Sequence, residues 1–139
     1  MGKRGKTAFV VRESPGDYSA KTSGGRQYDL EERTFLFAKA ARAFVKTLPR
    51  TIANMEDVKQ LVRASGSVGA NYIEANEALG HKDFVMHIKI SRKEAKESRF
   101  FLRLVDTGDK PEVETERKQL VQEATELMNI FGAIKRKYD

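Results

Sequence analysis

A chain of 139 residues with a formal charge of +6 has room for one domain and one core. It contains no cysteine, which excludes disulfides and thiolate metal sites. No apolar run is long enough to span a membrane, and no apolar segment follows the basic start at residues 1–6. A cytoplasmic protein is therefore expected.

The charge is unevenly spread. The chain has 26 basic and 20 acidic side chains. Within residues 1–26 stand Lys3, Arg4, Lys6, Arg12, Lys21 and Arg26 against Glu13 and Asp17, so most of the excess lies there. Residues 1–27 also hold Gly2, Gly5, Gly16, Gly24, Gly25 and Pro15, with few large apolar side chains. They read as a flexible basic tail, which either neutralises phosphates or keeps the chain soluble. The β-prone residues 7–11 are too short to make a sheet alone and leave room for an arm that docks on a partner.

The first predicted helix begins near Tyr28 and Asp29, with Asp29 as a candidate N-cap and Glu31 and Glu32 in the first turn. Leu30, Thr34, Phe37, Ala41, Phe44 and Leu48 alternate spacings of 4 and 3, and Pro49 ends the run. A second helix starts at Asn54 as N-cap and ends around Gly80. Its seam is Val58, Leu61, Ser65, Val68, Tyr72, Ala75 and Leu79. The seam crosses Ser65, Gly66, Ser67, Gly69 and Ala70, poor helix formers without a proline among them. A weak sequence held in helical register predicts neighbours that approach closely. Arg63, Ser67, Asn71 and Glu74 ride beside this seam as a structural network or as a site.

The third helix starts within residues 80–83 and ends at Thr107 and Gly108, with the seam Phe84, Ile88, Ser91, Ala95, Ser98, Leu102 and Val105. A fourth follows a capping-box-like Asp109 and Glu112 with an early Pro111. It carries Val113, Arg117, Leu120, Ala124, Leu127, Phe131, Ile134 and Tyr138 on the same rhythm. Four helices with short connections predict an all-α, up-down-up-down antiparallel four-helix bundle over residues 28–139.

One pattern runs through the second and third helices: Arg63-x-Ser65-x-Ser67-Val68-x-x-Asn71-x-x-Glu74, then Asp83-Phe84, then Glu94-Ala95-x-Glu97-Ser98. It resembles the four-helix-bundle proteins encoded in intervening sequences of bacterial 23S rRNA genes. The resemblance covers residues 28–138 and implies the bundle fold, without a settled biochemical activity. That family is related in turn to the accessory variability determinant proteins of diversity-generating retroelements. This more distant analogy implies a basic homo-pentamer that contacts RNA and a reverse transcriptase. The family-motif polar network is then Arg63, Ser67, Asn71, Glu74, Glu94 and Glu97.

Apolar residues exceed what one seam per helix requires. Phe35, Val45, Val62, Ile73, Val85, Met86, Ile90, Phe100, Phe101, Leu104, Val121, Met128 and Ile130 all fall beside the seams. Either they widen the core or they join copies of the chain. On the third helix Lys89, Arg92, Lys96, Arg99 and Arg103 follow the seam residues by one position. They form a basic stripe about 20 Å long at 1.5 Å per residue. Such a stripe faces either solvent or a polyanion.

Chemistry of other kinds finds little support. His81 and His87 do not follow a glutamate by three, as a di-iron bundle requires, and no metal or other cofactor is implied. Glu74 with Glu77, Glu94 with Glu97 and Glu123 with Glu126 are pairs common on solvated helices. Residues 66–69 lack the lysine of a phosphate-binding loop, and no nucleophile stands with a base. An unbroken seam also excludes a helix-turn-helix through residues 64–71. The expectation is a non-enzymatic oligomeric scaffold that binds RNA or a ribonucleoprotein through the tail (Lys3, Arg4, Lys6, Arg12) and the stripe. It needs no membrane and no small-molecule substrate. The alternative is an adaptor that recruits a protein through the apolar face of the third helix. If the second and third helices form a hairpin near Gly80, Arg63 lies level with Glu97 or Ser98, Ser67 with Glu94, and Asn71 with Ile90.

Overall fold

Alternating spacings of 3 and 4 keep one face of each helix apolar, and the computed structural model buries that face four times over. It describes residues 30–139, which contain α1 (Leu30–Val45), α2 (Ile52–Asn76), α3 (His81–Leu104) and α4 (Pro111–Tyr138). No strand forms among the described residues. Each helix packs on the next, and α1 also meets α4, closing an antiparallel four-helix bundle. The tail, its basic residues Lys3, Arg4, Lys6 and Arg12, and the expected cap Asp29 lie outside the described residues.

The core consists of the seam residues. Phe37, Phe44, Leu61, Val68, Ile88, Leu102, Leu120, Leu127, Phe131 and Ile134 are essentially inaccessible. Burying each such side chain contributes roughly 1.5–3 kcal/mol before the entropy of ordering it. Two seam residues are exposed, Tyr138 at the end of α4 and Leu79, which is fully exposed. For Leu79 the reason is that α2 ends early, at Asn76, and Leu79 belongs to the connection. Gly80, expected to end α2, instead has extended backbone as the N-cap position of α3.

Two further helix ends differ from expectation. Thr51, not Asn54, caps α2: its extended backbone lets Oγ1 accept from the Asn54 N–H at 3.1 Å. That choice frees the buried Asn54 side chain to join two connections. Its Nδ2 donates to the Pro49 and Asp106 carbonyls, and its Oδ1 accepts from the Asp106 N–H. Asp109 does not cap α4, because its φ of 60° puts it in the left-handed region beside Gly108 at 73°. Lys110 takes the cap position without a side-chain bond, with Pro111 at the first turn. The end of α3 precedes Thr107, and Arg117 closes it by donating through Nη1 to the Leu102, Arg103 and Val105 carbonyls.

The weak stretch of α2 does bring backbones together. A Cβ on Gly69 would stand 2.7 Å from Thr34 Oγ1 on α1, inside any normal contact. Across the other side, Ser91 of α3 donates its hydroxyl to the Val68 carbonyl at 2.9 Å. Gly69 and Ser91 are therefore small because α2 has a close neighbour on each flank.

Candidate nucleic-acid interface

The basic stripe lies along the α4 side of α3. Lys89, Arg92, Lys96 and Arg103 are exposed, and Arg99 is half-buried with its Nη1 donating to Thr125 Oγ1 of α4 at 3.3 Å. Arg92 reaches Gly132 of α4. At the far end Arg103 shares a shallow depression with Glu114, Arg117, Lys118, Val121 and Gln122. Among the described residues, none of the five stripe side chains makes an ion pair with a carboxylate. The last turn of α4 extends the same positive surface with Lys135, Arg136 and Lys137. Lys135 bonds Asp139 and holds that carboxyl below its usual range.

The opposite flank of α3 faces α2 and carries the family-motif residues. Arg63 Nη2 donates to Glu97 Oε2 at 2.7 Å and lies 3.4 Å from Glu94 Oε1. The Glu97 hydrogen bond, followed by the field of Glu94, raises the Arg63 pKa. Arg63 is nonetheless 48% exposed, so the pair is a surface feature. Asn71 donates to the Ser67 carbonyl, and its Oδ1 meets His87 Nδ1 at 3.0 Å, one helical turn short of the expected Ile90. No hydrogen bond joins the Ser67 hydroxyl to Glu94, whose buried Oε1 has no hydrogen-bond partner among the described residues. Glu74 is exposed and joins none of these contacts. Five of the six motif residues thus form two small clusters, Arg63 with Glu94 and Glu97 and Asn71 with Ser67, and Glu74 stands apart.

The ion pair at the heart of the bundle is elsewhere. Arg33 of α1 donates through Nε and Nη2 to both oxygens of Glu123, at 2.7 and 2.9 Å, and through Nη2 to Glu126 at 2.8 Å. Arg33 and Glu123 are each only 3% exposed. Glu123 and Glu126 are therefore the acceptors of a cross-bundle clamp and not a solvated pair. Sequence spacing puts Arg33 and Glu123 one position before their seams, but it does not say that α1 and α4 meet there.

Among the described residues no cluster of three or more histidine or carboxylate side chains could hold a metal ion. None of the helices is long and apolar enough to cross a membrane. What the surface offers is a long cationic face on α3 and α4, beside a mixed apolar and acidic face on α2 and α3.

These features define an all-α antiparallel four-helix bundle with a one-sided basic surface. The chain belongs to the 23S rRNA-intervening sequence protein family, whose defining pattern matches residues 26–133. A similar solved structure is that of a protein of unknown function from the S23 ribosomal protein family of Bacteroides thetaiotaomicron VPI-5482. It is 25% identical, covering 76% of this chain and 97% of that one, with a TM-score of 0.66. No curated protein matches the chain.

Proposed function

We propose that the protein is a non-enzymatic, oligomeric, cytoplasmic scaffold that holds RNA or a ribonucleoprotein against the basic face of α3 and α4. The observation that carries this reading is the stripe itself. Five cations stand along one face without an ion pair to a carboxylate among the described residues, only Lys89 feeling the field of Asp139, while Glu94 and Glu97 face Arg63 on the other flank. Solvated faces commonly interleave both signs, and a segregated face lowers the energy of a polyanion laid along it. The spacing also suits a phosphate backbone, which presents charge at short, regular intervals.

The test is RNA affinity measured against salt. The wild-type protein should bind a structured RNA with an affinity that falls steeply as salt rises. Replacing Lys89, Arg92, Lys96, Arg99 and Arg103 with Gln should weaken binding and flatten that dependence, with the helical circular dichroism preserved. Unchanged affinity in the substituted protein would assign the stripe to solvent. A second reading, a protein-binding adaptor, draws on the exposure of Phe100 and Leu104, at 55% and 52%. It predicts loss of a partner on Phe100→Glu with RNA binding intact.

A further inference from the structure

The stripe is not uniform along its length. At Arg92 it meets α4 where α4 has Gly132, a buried residue with no side chain to fill the groove. A Cβ built on Gly132 would stand 3.4 Å from Arg92 Nε and 3.4 Å from Arg136 Nη1. Two guanidinium groups from different helices therefore converge over one bare stretch of backbone. Neither makes an ion pair with a carboxylate among the described residues. Lys89 and Lys96 flank Arg92 at three and four residues along α3, so the local field is positive on both sides.

Like charges brought together without a counter-charge repel, and the carbonyls at the end of α4 offset this only in part. A tetrahedral oxyanion removes the repulsion. Each planar guanidinium can donate two parallel hydrogen bonds to phosphate oxygens, a geometry that lysine cannot match. We propose that Arg92 and Arg136 form a single phosphate seat over Gly132, at which one phosphate is held by both helices. This deepens the RNA reading and rests on it for the source of that phosphate, a backbone phosphodiester. A free phosphate ion offers the same chemistry.

The closing experiment has two arms on the full chain. In the first, thermal unfolding is followed in inorganic phosphate and in chloride at matched ionic strength, for the wild type, Arg92→Gln/Arg136→Gln and Lys59→Gln, an exposed lysine of α2 away from the stripe. Phosphate raises the melting temperature of any protein to some extent through exclusion from its surface. The expected result is an extra rise in the wild type and in Lys59→Gln that the double variant lacks. An equal response in all three overturns the seat. In the second arm, binding of a labelled RNA hairpin is measured over a salt series. Each single substitution, Arg92→Gln or Arg136→Gln, should weaken binding several-fold, and the double should lose less than the product of the two. Its salt slope should fall by about 0.7–0.9, the range for one neutralised phosphate, rather than by twice that. A double-sized fall, or multiplicative losses, would give each arginine its own phosphate and overturn the shared seat. A wild type that shows the phosphate response but ignores the hairpin would retain the seat for a free phosphate and sink the RNA reading.

Discussion

Arg33 and Arg63 each reach two glutamates, yet burial makes them unequal. Arg33 and Glu123 sit at 3% exposure, where removing one partner leaves an uncompensated charge in the core. Arg33→Ala should therefore destabilise the bundle by about 3–5 kcal/mol in chemical denaturation. Arg63 is 48% exposed, and Arg63→Ala should cost about 1 kcal/mol or less. In a double-mutant cycle, Arg63→Ala with Glu97→Ala should still show a small coupling, because their atoms meet at 2.7 Å. Equal losses from Arg33→Ala and Arg63→Ala would contradict this ranking. The glycines divide in the same manner. Gly69→Ala drives a methyl to 2.7 Å from Thr34 Oγ1 and should cost about 1–3 kcal/mol, the usual range for an overfilled contact. Gly80→Ala meets nothing within 4 Å and should be tolerated, so melting curves of the two variants side by side test the close approach of α1 and α2.

At the scale of elements, the connection from α3 to α4 depends on an acid that is partly held in its charged form. Glu114 accepts from Arg117 and from Thr107 Oγ1, and these bonds, Arg117 first, keep its carboxyl below the usual range. A lowered folded pKa gives stability that is present above the unfolded value, about 4.3, and is lost as pH falls through the folded value. Glu116, two residues on, is pushed up by burial, so its contribution is present below the unfolded value and lost as pH rises through the raised one. Glu114→Gln should flatten the acid side of the melting-temperature profile, while Glu116→Gln should raise the melting temperature at neutral pH. Identical profiles for both variants would refute the assignment. Very little of this connection is legible in the sequence. Heptad spacing exposed the four seams because core burial is periodic, and the short hairpin between α2 and α3 allowed Arg63 to be set level with Glu97. Arg33 and Glu123 have no such constraint, being 90 residues apart on helices joined only through the rest of the bundle. Thr51 and Asn54 are both good caps, and only the Asp106 backbone decides which one turns inward. The stripe was readable as a face of α3, but its meeting with Arg136 over Gly132 depends on how α4 is rotated.

For the whole molecule, the exposed apolar residues carry the remaining argument. Val85, Met128 and Ile130 simply widen the core, each being at least nine-tenths buried. Phe35, Ile73, Met86, Phe100 and Leu104 are exposed, and Phe100 stacks edge-on against Phe101 with centroids 5.0 Å apart. Scattered exposed apolar side chains are ordinary, but α3 carries three of these five along its outer surface. Between Met86 at one end and Phe100 and Leu104 at the other lies Arg63 with its two carboxylates, Glu97 and Glu94, a charged centre with apolar ends. A second copy that covered the ends would remove apolar area from water at roughly 25 cal/mol per Å². Light scattering of the wild type should then give a mass several times the 15.7 kDa of one chain. Phe100→Glu with Leu104→Glu should reduce it toward one chain while the circular dichroism stays helical. An assembly held by these residues should also persist in high salt, since screening acts on charge and leaves apolar burial intact. Dissociation by salt alone would place the contact on the basic face instead, and a wild-type monomer at micromolar concentration would remove assembly from the account of this surface.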